Sequence, residues 1–143
     1  MRKKRVGGFT LIELMLVVAI IALLAAIAIP KFADMLIKAK EAGVKGKTGA
    51  FRSALTIYYA DLEGYLPFTT NVPTALVPKY ISEIPSISIP TVSTHRNSNI
   101  ISVAYAQYAD WGSQRAWYYD GTTPRVIVNC VHRDTRGSSW SKF

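Results

Sequence analysis

Arg5-Val6-Gly7-Gly8-Phe9-Thr10-Leu11-Ile12-Glu13-Leu14-Met15 opens an apolar run that continues without a second charge to Ile29 and meets Pro30. From Phe9 to Ile29 there are 21 residues with one ionisable side chain. Wound as a helix they span about 32 Å at about 1.5 Å per residue, the depth of a bilayer hydrocarbon core. A carboxylate is expensive at that depth, so Glu13 is expected to have a function. The residues before the run, Met1-Arg2-Lys3-Lys4-Arg5, are basic and should stay cytoplasmic while the rest emerges on the far side. Gly7 and Gly8 are small, which suits a leader cut before the apolar run, the reverse of an ordinary secretory signal.

Outside this block little apolar material remains. The chain has 143 residues and 50% hydrophobic content, enough for one domain, but the N-terminal run holds much of it and leaves a small globular part. The formal charge of +8 includes Arg2, Lys3, Lys4 and Arg5. Without those four, 13 of the 17 basic residues face 9 acidic ones, about +4, a solvated face rather than a specific anion site. Cys130 is the sole cysteine, so no disulfide closes within the chain; it is expected to be a small buried apolar residue, and packing must supply the stability.

Pro30 is expected to kink or loosen the helix without ending it, because Phe32 to Leu62 resumes a helical pattern. Met35, Leu36 and Ala39, then Phe51, Ala54, Leu55, Tyr58, Tyr59 and Leu62, recur at spacings of three and four, opposite Lys38, Lys40, Lys45, Lys47 and Arg52. Gly43, Gly46 and Gly49 each cost up to about 1 kcal/mol of helix propensity, and the helix is expected to be loose there. Gly64 should cap it and Pro67 prevent its continuation. Pro67, Pro73, Pro78, Pro85 and Pro90 predict extended connections, with a short turn at Tyr80 and Ile81. Ile101, Val103, Tyr105 and Gln107 alternate as a strand, Ala116 to Tyr119 gives another, and Asp120-Gly121 with Pro124 turns the chain into Arg125 to Val131. The predicted fold class is α+β: a long N-terminal helix packed on a small C-terminal antiparallel sheet over about 100–131, with 134–143 as a tail or edge strand.

Catalytic chemistry finds no support. His95 and His132 lie in no metal-binding spacing, and the glycines form no phosphate loop. Asp110, Asp120 and Asp134 offer hard oxygens, but turn capping is the expected role and no metal is predicted. Trp111, Trp117, Tyr118, Tyr119 and Trp140 are expected to fill the core or a sheet face rather than stack on nucleic acid or sugar.

The stretch Gly8-Phe9-Thr10-Leu11-Ile12-Glu13-Leu14-Met15 resembles the class III signal of type IV pilins and type II secretion pseudopilins, and Pro30 extends the likeness. The resemblance implies a pilin-like organisation: a cleaved leader 1–8, a transmembrane and filament-core helix 9–30, and a globular domain 31–143 whose helix runs to about 64. It implies cleavage between Gly8 and Phe9 by a prepilin peptidase that also methylates the Phe9 amine, and makes Glu13 the fifth residue of the mature chain and the assembly residue. It implies residence in the inner membrane before assembly into an extracellular homo-oligomeric filament, helped by a membrane platform and, indirectly, an assembly ATPase. No cofactor or enzymatic activity is implied. The expected function is structural subunit of a type IV pilus; the alternative is a periplasmic pseudopilin, and a weaker one is a filament subunit in DNA uptake, although nucleic acid is not an expected partner. Leu76 to Pro85 looks like the post-helix connection of pilin-like proteins, and Ala54 to Pro67 like the helix end of major pseudopilins. The sequence departs from the family where many pilins close a C-terminal loop with a disulfide, and Ala109-Asp110-Trp111-Gly112 only approximates the Asp-Pro-Trp-Gly of a major pseudopilin.

Overall fold

A computed structural model describes residues 8–90, 97–102 and 115–143 of the chain. Two compact units divide at Leu36 and Ile37. Helix α1 runs Leu11–Asp61, with Pro30 inside it. In the first unit nearly every described side chain is exposed; Leu11, Ile27 and Ile29 are 76%, 75% and 69% accessible, so this surface demands lipid or protein around it. Among the described residues α1 is the one helix long and apolar enough to cross a membrane.

The second unit holds the core. On α1, Glu41, Val44, Thr48, Phe51, Ala54 and Leu55 are buried at spacings of three and four. Met35, Leu36, Tyr59 and Leu62, expected on the apolar face, are exposed instead, and Lys45 and Arg52 leave the polar face for the packed one. Arg52 lays its stem along the core and donates from Nε to the Val126 carbonyl at 2.7 Å. α1 is continuous through Gly43, Gly46 and Gly49, where Val44, Thr48 and Phe51 anchor its other face and packing offsets the poor propensity of glycine.

Helix α1 ends in a Schellman turn, with Gly64 N–H donating to Tyr59 O at 2.9 Å and Glu63 N–H to Ala60 O at 3.4 Å. The left-handed residue at the turn is Glu63, at φ 53°, followed by Gly64 at φ 96°. A residue with a Cβ in that conformation costs about 1 kcal/mol. A short helix, α2 (Val72–Leu76), follows where extended chain was expected; Pro73 fits its first turn, where an amide would have no helical partner. The predicted turn is present, with Tyr80 N–H donating to Leu76 O at 2.9 Å.

Strands β1 (Ile100–Ser102), β2 (Arg115–Tyr119) and β3 (Val126–Val128) lie in that order. β2 and β3 pair antiparallel as predicted, through Trp117↔Val128 and Tyr119↔Val126. Asp120 closes their hairpin by accepting Thr122 N–H at 2.9 Å, with Gly121 at φ 76°. β1 corrects the antiparallel expectation: it runs parallel to β2, making the sheet mixed. Alternation is blind to strand direction, and the chain between β1 and β2 has the dozen residues a parallel return requires. Val103, Tyr105 and Gln107, predicted to extend β1, lie outside the described residues, as do His95, Asp110 and Trp111.

The α1 face covers this sheet. Phe51 meets Trp117 edge-on at 5.3 Å and 85°, and Trp117, Tyr119, Val126, Val128 and Trp140 are wholly buried. Cys130 is buried as expected. Burial, with Asp120 and Tyr58 nearby, pushes the Tyr119 phenol up to about 12, and its hydroxyl donates to the Pro67 carbonyl at 3.1 Å. The last segment is neither tail nor edge strand: Arg133 and Ser139 bridge, Trp140–Lys142 forms a 3-10 turn, and Val128 N–H donates to Phe143 O at 3.3 Å.

Candidate functional site

The start of α1 is built around Glu13. Thr10 is the N-cap; its hydroxyl accepts Glu13 N–H at 3.3 Å, while Glu13 Oε2 accepts Thr10 N–H at 2.8 Å and the Thr10 hydroxyl at 2.7 Å. This is a capping box, the reciprocal closure of two amides that helix geometry leaves without partners. The signal is present in the sequence as Thr10-Leu11-Ile12-Glu13, a threonine followed three residues on by a glutamate within the start of an apolar run. Both bonds fall on Oε2, so Oε1 keeps its acceptor capacity. Phe9 is 83% exposed, and a Cβ placed on Gly8 would meet nothing within 4 Å, so nothing in the chain's own packing demands glycine there.

A second polar constellation joins α1 to the C-terminal loop. Glu41, 4% exposed, accepts Thr135 N–H at 2.9 Å and the Thr135 hydroxyl at 2.6 Å. One turn on, Lys45 Nζ lies 2.6 Å from Asp134 Oδ2, whose side chain is buried. The other oxygen of Asp134 accepts Arg136 N–H at 3.0 Å and Ser138 N–H at 2.8 Å. Lys45 also stands 3.9 Å from the Phe143 ring centroid. Two bonds a helical turn apart thus clasp the C-terminal loop to α1. Pairs 94 and 89 residues apart leave no local signal in the sequence.

The Lys45 hydrogen bond holds the Asp134 carboxyl below the usual carboxylate range; burial opposes, and the Ser138 and Arg136 amides add to the lowering. A depressed folded-state pKa contributes stability that is complete above the unfolded value near 3.9 and is lost as pH falls through the folded value. The melting midpoint should therefore be flat with respect to this group above about pH 5 and fall below about pH 4. In Asp134→Asn that part of the acid limb should vanish and the plateau drop; an unchanged acid limb would remove Asp134 from the account.

Asp120 is likewise a turn residue: burial raises its carboxyl, but hydrogen bonds from Thr122 and Thr123 outweigh it and lower it. Cys130 Sγ lies 3.2 Å from His132 Nδ1. Among the described residues no group of three His, Cys, Asp or Glu side chains is placed to hold a metal ion.

A family model for the prokaryotic N-terminal methylation motif matches residues 3–29. The type IV major alpha-pilin of Moraxella bovis is 33% identical over 128 residues, covering 89% of this chain and 72% of that one. A type IV narrow pilus major component of Thermus thermophilus is 45% identical over 60 residues, 42% of this chain and 52% of that one. The type IV major fimbrial protein of Dichelobacter nodosus is 52% identical over 48 residues, 34% of this chain and 31% of that one. The match thus spans about half the length of the Thermus protein and under a third of the Dichelobacter protein. No solved structure matches.

Proposed function

Because the chain belongs to the type IV pilin family, we propose that it is the structural subunit of a type IV pilus, cut between Gly8 and Phe9, methylated on the new Phe9 amine and assembled through the first half of α1. The observation that carries this reading is the likeness to a major pilin along 89% of the chain. The leader 1–8, the anchor 9–30 and the globular part 31–143 are its working divisions. Before assembly the apolar run holds the subunit in the inner membrane with the basic leader cytoplasmic. Pro30 is the place where the helix bends when it must.

Assembly transfers the exposed apolar surface of α1 from lipid to neighbouring copies. Glu13 is tolerated near the interface by snorkelling and then gains a partner. The capping box lies wholly downstream of the proposed cut, so the mature chain keeps it, with Glu13 Oε1 open to the Phe9 amine of a neighbouring copy. A buried carboxylate matched to a buried amine fixes register more than it adds affinity.

The test is the intact mass of subunits sheared from producing cells. A dominant species starting at Phe9 and one methyl heavier than the bare chain is expected. The same cut species retained in the envelope and missing from the sheared fraction would move the protein to the secretion pseudopilus. Gly8→Leu should leave the full leader attached and the sheared fraction empty, since the peptidase needs the small residue that the chain's own packing does not. Normal cutting of that variant would relocate the junction.

A further inference from the structure

Glu63 is the residue that the fold of one chain does not explain. It holds a left-handed backbone, φ 53°, at the position of the Schellman turn where glycine is favoured. Its carboxylate is exposed and has no hydrogen-bond or ion-pair partner among the described residues. Beside it stand Tyr65 and Phe68, 76% and 81% exposed, far more than neighbouring Pro67, which is buried. Strain kept without a local return points to a function elsewhere.

The complement lies on the same unit. Lys38 and Arg136 are exposed, their side chains have no partner among the described residues, and they flank one hollow over Glu41 and Thr135. Glu41 and Asp134, the acids of that region, already accept from Thr135, Lys45 and the loop amides, so the hollow presents two free cations. We propose that the Glu63–Phe68 knob of one copy docks on the Lys38–Arg136 hollow of a second copy, Glu63 pairing with the cations while Tyr65 and Phe68 cover their stems. The inference rests on the filament reading. An acidic, aromatic knob on one end and a basic hollow on the other are different surfaces, so the contact is head-to-tail and does not close on itself, the geometry of an open helical filament. Lys38 and Asp61 are about 35 Å apart along α1 at about 1.5 Å per residue, so docked copies are displaced along the helix by about that distance.

The full-length chain in its producing cells supplies the test. Glu63→Gly relieves the backbone and should raise the subunit's melting midpoint in detergent micelles by about 4 °C, yet lower the sheared filament yield. A residue that served only the turn would improve or leave both. Glu63→Lys should lower the yield about tenfold or more, and Glu63→Lys with Lys38→Glu and Arg136→Glu should restore most of it. Carbodiimide cross-linking of intact envelopes and filaments should join Glu63 to Lys38 of another copy. Wild-type yield from both single variants, or no rescue by the swap together with no such cross-link, overturns the docking. The wild-type sheared fraction reports on the filament reading separately, and the envelope cross-link reports on docking whether or not a surface filament forms.

Discussion

Glu13→Ala subunits are expected to enter the membrane and be cut at the same bond as wild type, and to yield about 100-fold less filament. The effect is felt by the neighbouring copy, whose Phe9 amine is the proposed partner of Glu13. In the proposed filament, removing the carboxylate leaves the neighbour's Phe9 amine without its counter-charge. In a filament every subunit carries that defect, and about 1.4 kcal/mol is already a tenfold change in an equilibrium. Insertion should be untouched because alanine only raises the apolarity of the run, and cutting should be untouched because the proposed junction is Gly8–Phe9. The capping box supplies the control that separates charge from helix closure. Glu13→Gln keeps an acceptor that closes the box but loses the charge, so it should assemble as poorly as Glu13→Ala. Thr10→Val keeps the charge and the Thr10 N–H bond but loses both bonds of the hydroxyl, at about 1 kcal/mol of helix stability, and should assemble nearly normally. Filament yields that followed the box instead of the charge would assign Glu13 to helix initiation alone.

The same residues mark how far the sequence was legible. The apolar half of α1, its single carboxylate and the basic residues before it are local features, and local features survive in a linear string. The packed face of α1 was only half legible. Phe51, Ala54 and Leu55 announce it, but Glu41 and Thr48 are polar residues buried in register with Val44, and apolar spacing does not reveal them. Their charged heads assign Lys45 and Arg52 to the polar face, whereas long stems let them border the core and reach Asp134 and Val126. β2, β3 and their turn were readable from alternation and Asp120-Gly121. The parallel course of β1 was not, since strand direction belongs to the connection. The clasp and the burial of Trp140 join residues distant in the chain, and only the folded chain brings them together.

Trp117→Ala should leave the second unit unfolded at ambient temperature, the largest stability loss expected of a single substitution. Trp117 lies on the central strand, is wholly buried, and meets Phe51 edge-on at 5.3 Å. Its indole Nε1–H donates to the Pro85 carbonyl at 2.7 Å, tying the loop after α2 to the sheet. Truncation costs about 3–5 kcal/mol for the ring and its cavity, and the Pro85 carbonyl loses its donor at about 1–3 kcal/mol more. A domain of this size holds only about 5–15 kcal/mol in total, and Cys130 alone provides no covalent reinforcement. Near-ultraviolet circular dichroism in micelles should lose its aromatic signal, while the apolar half of α1 stays helical in detergent. The indole hydrogen bond can be weighed separately, because Trp140 is equally buried but its Nε1 has no partner among the described residues. Trp140→Phe discards an unsatisfied donor along with volume, and Trp117→Phe breaks a bond, so the second should melt lower by about 1 kcal/mol or more, about 4–8 °C in a unit of this size. Equal midpoints would mean that the Pro85 contact adds nothing, and a Trp117→Ala midpoint within a few degrees of wild type would remove the Phe51–Trp117 pair from the centre of the core.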